Sequence, residues 1–118
     1  MLITKEQIKK LDKLWQETVL KDCGGISLLG GKATVAHHFK HKSTAFSLRW
    51  YILNGIPLVH FQHDSIHGKN GKELEDTIIK IKGKEWLRDL EIQKLKLAKY
   101  SSYKQIKSHI LGFTNNYC

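Results

Sequence analysis

The sequence predicts a small α+β domain, and three observations carry that prediction. An apolar period of helical spacing opens the chain and returns beyond residue 71, two short glycine-punctuated apolar stretches lie between, and 118 residues suffice for one modest core but not for two. The expected layout is a single domain: an N-terminal helix at about 4–21, a core at about 25–68 and two or three helices at about 71–112.

Thr4-Lys5-Glu6-Gln7 has the form of a capping box, and Ile8, Leu11, Leu14, Trp15 and Val19 follow at helical spacing. The opposite face carries Lys5, Lys9, Lys10 and Lys13, either a solvated surface or a DNA footprint, and no chemistry is assigned to it. Asp22-Cys23-Gly24-Gly25 ends the helix. Gly30-Gly31, with Ile26, Leu28 and Leu29 before it and Ala33 and Val35 after it, predicts two short strands joined by a glycine turn that deliver the chain to His37 and His38. Ser43 or Thr44 would cap a short helical turn through Phe46, Leu48, Arg49 and Trp50, which Asn54-Gly55-Ile56-Pro57 stops. His60 to His67 reads as a helix ended by Gly68. Leu74, Ile78, Ile79 and Ile81, then Trp86, Leu87, Leu90, Leu95 and Leu97, predict two helices broken around Gly83, and Tyr103, Ile106, Ile110 and Leu111 a last short one.

Twenty Lys and Arg against eleven Asp and Glu give a formal charge of +9, which favours a polyanionic partner through phosphate contacts, with DNA the expected one. No apolar run approaches the roughly 20 residues of a transmembrane helix, and no leader opens the chain, so no membrane association and a cytoplasmic location are expected. Two cysteines, Cys23 and the terminal Cys118, make no disulfide framework and read as incidental thiols.

The chemistry concentrates in residues 36–67, which hold six of the seven histidines and the only proline. His63 and His67, four apart, share one face of a helix and can address one ion; imidazole nitrogens suit borderline transition metals. One of the adjacent pair His37 and His38 can supply a third ligand while its neighbour, on the opposite face of a strand, stays available as a base. Three ligands leave a coordination position for a phosphate oxygen or water. Asn54 would hold and orient the basic histidine by a hydrogen bond, although its position alone favours a plain turn asparagine before glycine. Arg49 either clamps the scissile phosphate through its guanidinium or makes an ion pair.

The order His37-His38, Asn54, His63, His67 resembles the HNH, or His-Me finger, endonucleases, with a histidine pattern similar to that of the colicin-type DNases. The resemblance implies a ββα-metal core holding one divalent ion (Mg2+, Mn2+, Zn2+ or Ni2+), with His38 as general base, Asn54 positioning it, and His37, His63 and His67 as metal ligands. HHFKHKSTAFSLRW, NGIPLVHFQH and GKNGKELEDTIIKIKGKEWLRDLE are further similar to the phage NinG or Rap recombination nucleases over roughly residues 36–95. That likeness implies a phage or prophage protein of the host cytoplasm acting on branched or duplex DNA, with recombination proteins as partners and a homodimer suited to cutting two strands. Many such proteins carry CxxC zinc knuckles; the corresponding places here read Leu20-Lys21-Asp22-Cys23 and Val59-His60-Phe61-Gln62, so a structural zinc is not expected and apolar packing by Leu20 and Val59 would substitute.

Lys40, Lys42, Arg49, Lys69 and Lys72 flank the motif and would track the phosphate backbone. His60 would line the site or pack behind it, His41 and His109 read as surface residues, and Trp50, Trp86 and Phe46 as core. The leading expectation is a metal-dependent DNA endonuclease. Its rivals are a nucleic-acid-binding protein with a purely structural metal and a secreted toxin DNase.

Overall fold

The computed structural model describes residues 3–41, 48–95 and 102–112. Lys42, Ser43, Thr44, Phe46, Leu97 and Cys118 therefore lie outside the described residues. Among the described residues the fold is α+β, five α-helices around a two-stranded antiparallel sheet, in the order α1 (Lys5–Asp22), β1 (Val35–His38), β2 (Gly55–Leu58), α2 (His60–Ile66), α3 (Gly71–Lys82), α4 (Lys84–Leu95) and α5 (Tyr103–Leu111), with a short 3-10 turn at Ile52–Asn54 before β2.

Helix α1 begins where its capping box says it should. The Thr4 hydroxyl accepts from the Gln7 amide while the Gln7 side chain accepts from the Thr4 amide, satisfying two donors that a helix start leaves open. Its Leu11, Trp15 and Val19 are buried against Ala36, Trp50, Ile52 and the α5 residues Ile106 and Ile110. Each such apolar side chain contributes about 1.5–3 kcal/mol through burial. On the other side of the sheet Ile56 and Leu58 pack with Ile66 of α2 and Ile78 of α3. The sheet is thus held between α1 and α5 on one face and α2 and α3 on the other. Gly83, at a φ of 97°, breaks α3 from α4 as its position predicts.

The predicted hairpin about Gly30-Gly31 is corrected. Only an isolated bridge joins Ile26 to Lys32; the strand carrying the histidines pairs instead with β2, His37 opposite Ile56 and His38 opposite Gly55. The reason lies in where the backbone donors go. The glycine turn does close, with the Ser27 amide donating to the Gly31 carbonyl, but the Leu28 and Thr34 amides donate to Pro57 and Leu58 of β2. The arms share only the Ser27–Gly31 bond and one from the Ala33 amide to the Gly25 carbonyl, and beyond these they are drawn onto β2.

Helix α2 stops at Ile66, one residue before the histidine expected to close it, with His67 at its C-cap. Cys23 is disulfide-bonded, correcting its reading as an incidental thiol. No helix among the described residues is long and apolar enough to cross a membrane.

Candidate metal centre

Strand alternation sorts the adjacent histidines. Val35 and His37 face α2 and α3, whereas Ala36 and His38 face α1. His37 is buried, and its ring meets those of His63 and His67 edge-on at centroid distances of 5.1 and 5.8 Å. One ligating nitrogen from each of the three lies within 4.8 Å of the others. The Nε2 atoms of His63 and His67 are 3.4 Å apart. That matches the separation of about 3.4 Å that two nitrogens take when each sits about 2.1 Å from one tetrahedral ion.

The donor chemistry fits a metal ion on two further counts. His37 Nε2 is buried without a hydrogen-bond partner, a costly condition for a polar atom unless something else satisfies it. Burial, reinforced by the neighbouring His63 and His67, pushes the His37 imidazolium down to about pKa 3, and burial followed by His67 lowers that of His63. Both rings are therefore held neutral, the form in which imidazole binds a metal. The three converge beside a cavity of about 320 Å³ whose wall also includes His38, His41 and Gln16.

Helix α2 is aimed by residues that carry no metal chemistry. The His60 amide donates to the Thr34 hydroxyl, and the Gln62 side chain accepts from the Val59 amide at 2.8 Å. Gln62 also accepts from the Ser27 hydroxyl at 2.5 Å and donates to the Gly30 carbonyl at 2.9 Å, pinning the start of α2 to the glycine turn. Leu20 and Val59, expected to substitute for a zinc knuckle by apolar packing, are half-buried, and Gln62 of the second knuckle place is held instead by the glycine turn. Gly71 closes the other end. A Cβ there would collide with the Ile66 carbonyl, so only glycine lets α3 turn so tightly from α2.

His38 is fixed from the α1 side. The Trp15 indole lies flat on its imidazole at a centroid distance of 4.0 Å and an interplanar angle of 7°. Gly55, opposite His38, leaves room for that indole: a Cβ at position 55 would come within 2.9 Å of it. His38 Nε2 lies 2.9 Å from the Arg49 carbonyl, which can only accept, so the proton resides on Nε2 and the lone pair on Nδ1. Trp15 Nε1 donates to the Tyr51 carbonyl at 3.1 Å, tying the same segment to α1.

Several expected roles come out differently. The Arg49 guanidinium is turned to Asp12, donating from Nε at 3.1 Å and from Nη2 at 2.7 Å, and Trp50 Nε1 donates to the same carboxylate. Of the two readings of Arg49 the ion pair is the one realised, and its backbone carbonyl is what touches the histidine. Asn54 is fully buried and bonds by its side chain to both backbone groups of Lys40 and to the Leu48 carbonyl. It staples the segment leaving β1 to the segment holding the Arg49 carbonyl, and so acts on His38 through the backbone.

Lys40 forms an ion pair with Glu91, whose carboxyl it holds below the usual range, while Lys69 and Lys72 are exposed. His60 neither lines the cavity nor packs: it is exposed and 3.3 Å from Asp64. His109 is not a surface residue but half-buried and stacked on Tyr51. Asp12, Gln16 and Gln62 were missed. Gln62 had a local signal, a glutamine at the third helical position; Asp12, a lone acid among lysines, had none. No protein-family profile, curated protein or solved structure matches this chain, so function is argued from this geometry.

Proposed function

We propose that the protein is a metal-dependent DNA endonuclease of the HNH type, built on a ββα-metal core of β1, β2 and α2. One observation carries the reading: three imidazoles converge on a common point while a fourth, the next residue along the strand, borders the same cavity on a separate set of supports. His37, His63 and His67 would hold the ion. A set of three nitrogens with no carboxylate favours Zn2+ or Ni2+ over Mg2+, which prefers oxygen ligands. When bound, the ion supplies neutralisation of charge on the phosphate and on the departing 3′ oxygen.

The chain's own residues account for the proton. Nδ1 of His38 takes a proton from the attacking water as the water oxygen bonds to phosphorus and the bond from phosphorus to the 3′ oxygen breaks. The Arg49 carbonyl keeps the tautomer that makes Nδ1 the base, and Trp15 fixes the plane of the ring. A positively charged chain supplies the attraction for a polyanion. The resemblance set out above adds branched or duplex DNA and a recombination or DNA-processing setting.

A purely structural metal in a DNA-binding protein calls for a fourth protein ligand, and the nearest expected candidate, His60, faces Asp64 instead. The deciding experiment is a panel of supercoiled plasmid, linear duplex, flap and four-way junction incubated with Mg2+, Mn2+, Zn2+ or Ni2+. Wild type should cleave, EDTA should stop it, and His38→Ala should lower the rate by about 10²–10⁴-fold with the fold intact by circular dichroism. Full activity in that variant overturns the assignment of the base.

A further inference from the structure

We infer that the flank of α1 carrying Lys5, Lys9 and Lys13 is a track for the phosphate backbone of a DNA strand leading to the histidine cavity. The direction of the track rests on the endonuclease reading; its chemistry rests on the helix surface alone. Gln16, one residue beyond the indole that covers His38, is exposed and forms part of the cavity wall. Residues three, four and seven apart on a helix line up, so the row through Gln16 continues away from the cavity through Lys13, Lys9 and Lys5. All three lysines are exposed.

What distinguishes these lysines from the other exposed cations is that they line up on one helix with a residue of the cavity wall. Two of the cations flanking the histidines are already engaged, Arg49 by Asp12 and Lys40 by Glu91. Among the described residues no ion pair engages Lys5, Lys9 or Lys13. Asp12, between Lys9 and Gln16 on the helix surface, is occupied by Arg49 and Trp50. The other two acids of α1, Glu6 and Glu17, border the row, three residues from Lys9 and four from Lys13, but among the described residues no ion pair joins either to these lysines. From Lys5 to Lys13 the helix rises about 12 Å. One strand of duplex DNA carries three to four phosphates over about that length. The proposed phosphate contacts thus lie on α1, whereas Arg49 and Lys40 serve the fold.

The test measures binding of a short labelled DNA duplex across a range of KCl concentrations, in the His38→Ala background so that cleavage does not intervene. Lys5→Gln, Lys9→Gln and Lys13→Gln are combined in one variant; Lys10→Gln, Lys21→Gln and Lys84→Gln, all exposed, are combined in a control of equal charge loss. Each lost phosphate contact removes about 0.9 from the slope of log affinity against log salt. The flank variant should lose about 2 to 3 and the control less than about 1. Equal losses in the two variants, an unchanged slope in the flank variant, or no DNA binding by the parent would each overturn the track. The two readings fail separately. Wild type that cleaves no DNA with any divalent ion sinks the endonuclease but not a flank-dependent slope, and a flank-independent slope in a protein that cleaves sinks only the track.

Discussion

Acid should unfold this protein through His37. The ring is 6% exposed, and burial, with the charges of His63 and His67 behind it, pushes its pKa to about 3 from an ordinary 6.5. Below pH 6.5 the unfolded chain therefore binds a proton here that the folded chain refuses. Because the unfolded state holds more protons, stability rises with pH across the window from about 3 to about 6.5, and is lost as pH falls through it. At 1.36 kcal/mol per pH unit, moving from about pH 7.5 to about pH 5 removes about 2 kcal/mol, a large part of the 5–15 kcal/mol that holds a typical domain folded. The measurement is urea unfolding at the two pH values in EDTA, so that no ion holds the site together. His37→Gln, which cannot titrate, should lose about 2 kcal/mol less than wild type over the same interval. It should retain a smaller dependence from His63, whose pKa is lowered in the same direction. If wild type and variant lose the same stability, His37 is not buried neutral and the convergence of the three rings is wrong.

Two further outcomes follow from the supports behind His38. Asn54→Ala removes a fully buried side chain that satisfies both Lys40 backbone groups and the Leu48 carbonyl, and should cost about 2–4 kcal/mol in urea unfolding. Trp15→Phe keeps an aromatic face for His38 but loses the hydrogen bond to the Tyr51 carbonyl, so on plasmid cleavage it should lower kcat while leaving KM nearly unchanged; Trp15→Ala, at a buried position, should cost about 3–5 kcal/mol of stability.

The ligands of the candidate centre were legible in the sequence and their supports were not, for a physical reason. His63 and His67 meet because they are four apart, one on α2 and the other at its C-cap, and His37 and His38 part company because strand residues alternate; both are properties of a few consecutive residues. The α1 cap and the break at Gly83 were readable on the same ground. The partner of β1 was not, because the local signal at Gly30-Gly31 is a true turn whose arms are claimed by a strand more than twenty residues further on. Nor could the sequence choose between two uses of Arg49, since the carboxylate that decides it lies 37 residues upstream on another element. Asn54 looked like the partner of a histidine ring and is the staple of a backbone for the same reason: its acceptors and donors are assembled only when residues 40, 48 and 54 come together. A metal can be caught by a pattern that survives in a single helix and strand, but a base must be held in one tautomer and one plane. Here both are set by α1 and the 49–51 segment, so a change in that helix far from the histidine motif is where loss of activity with metal binding intact should be sought.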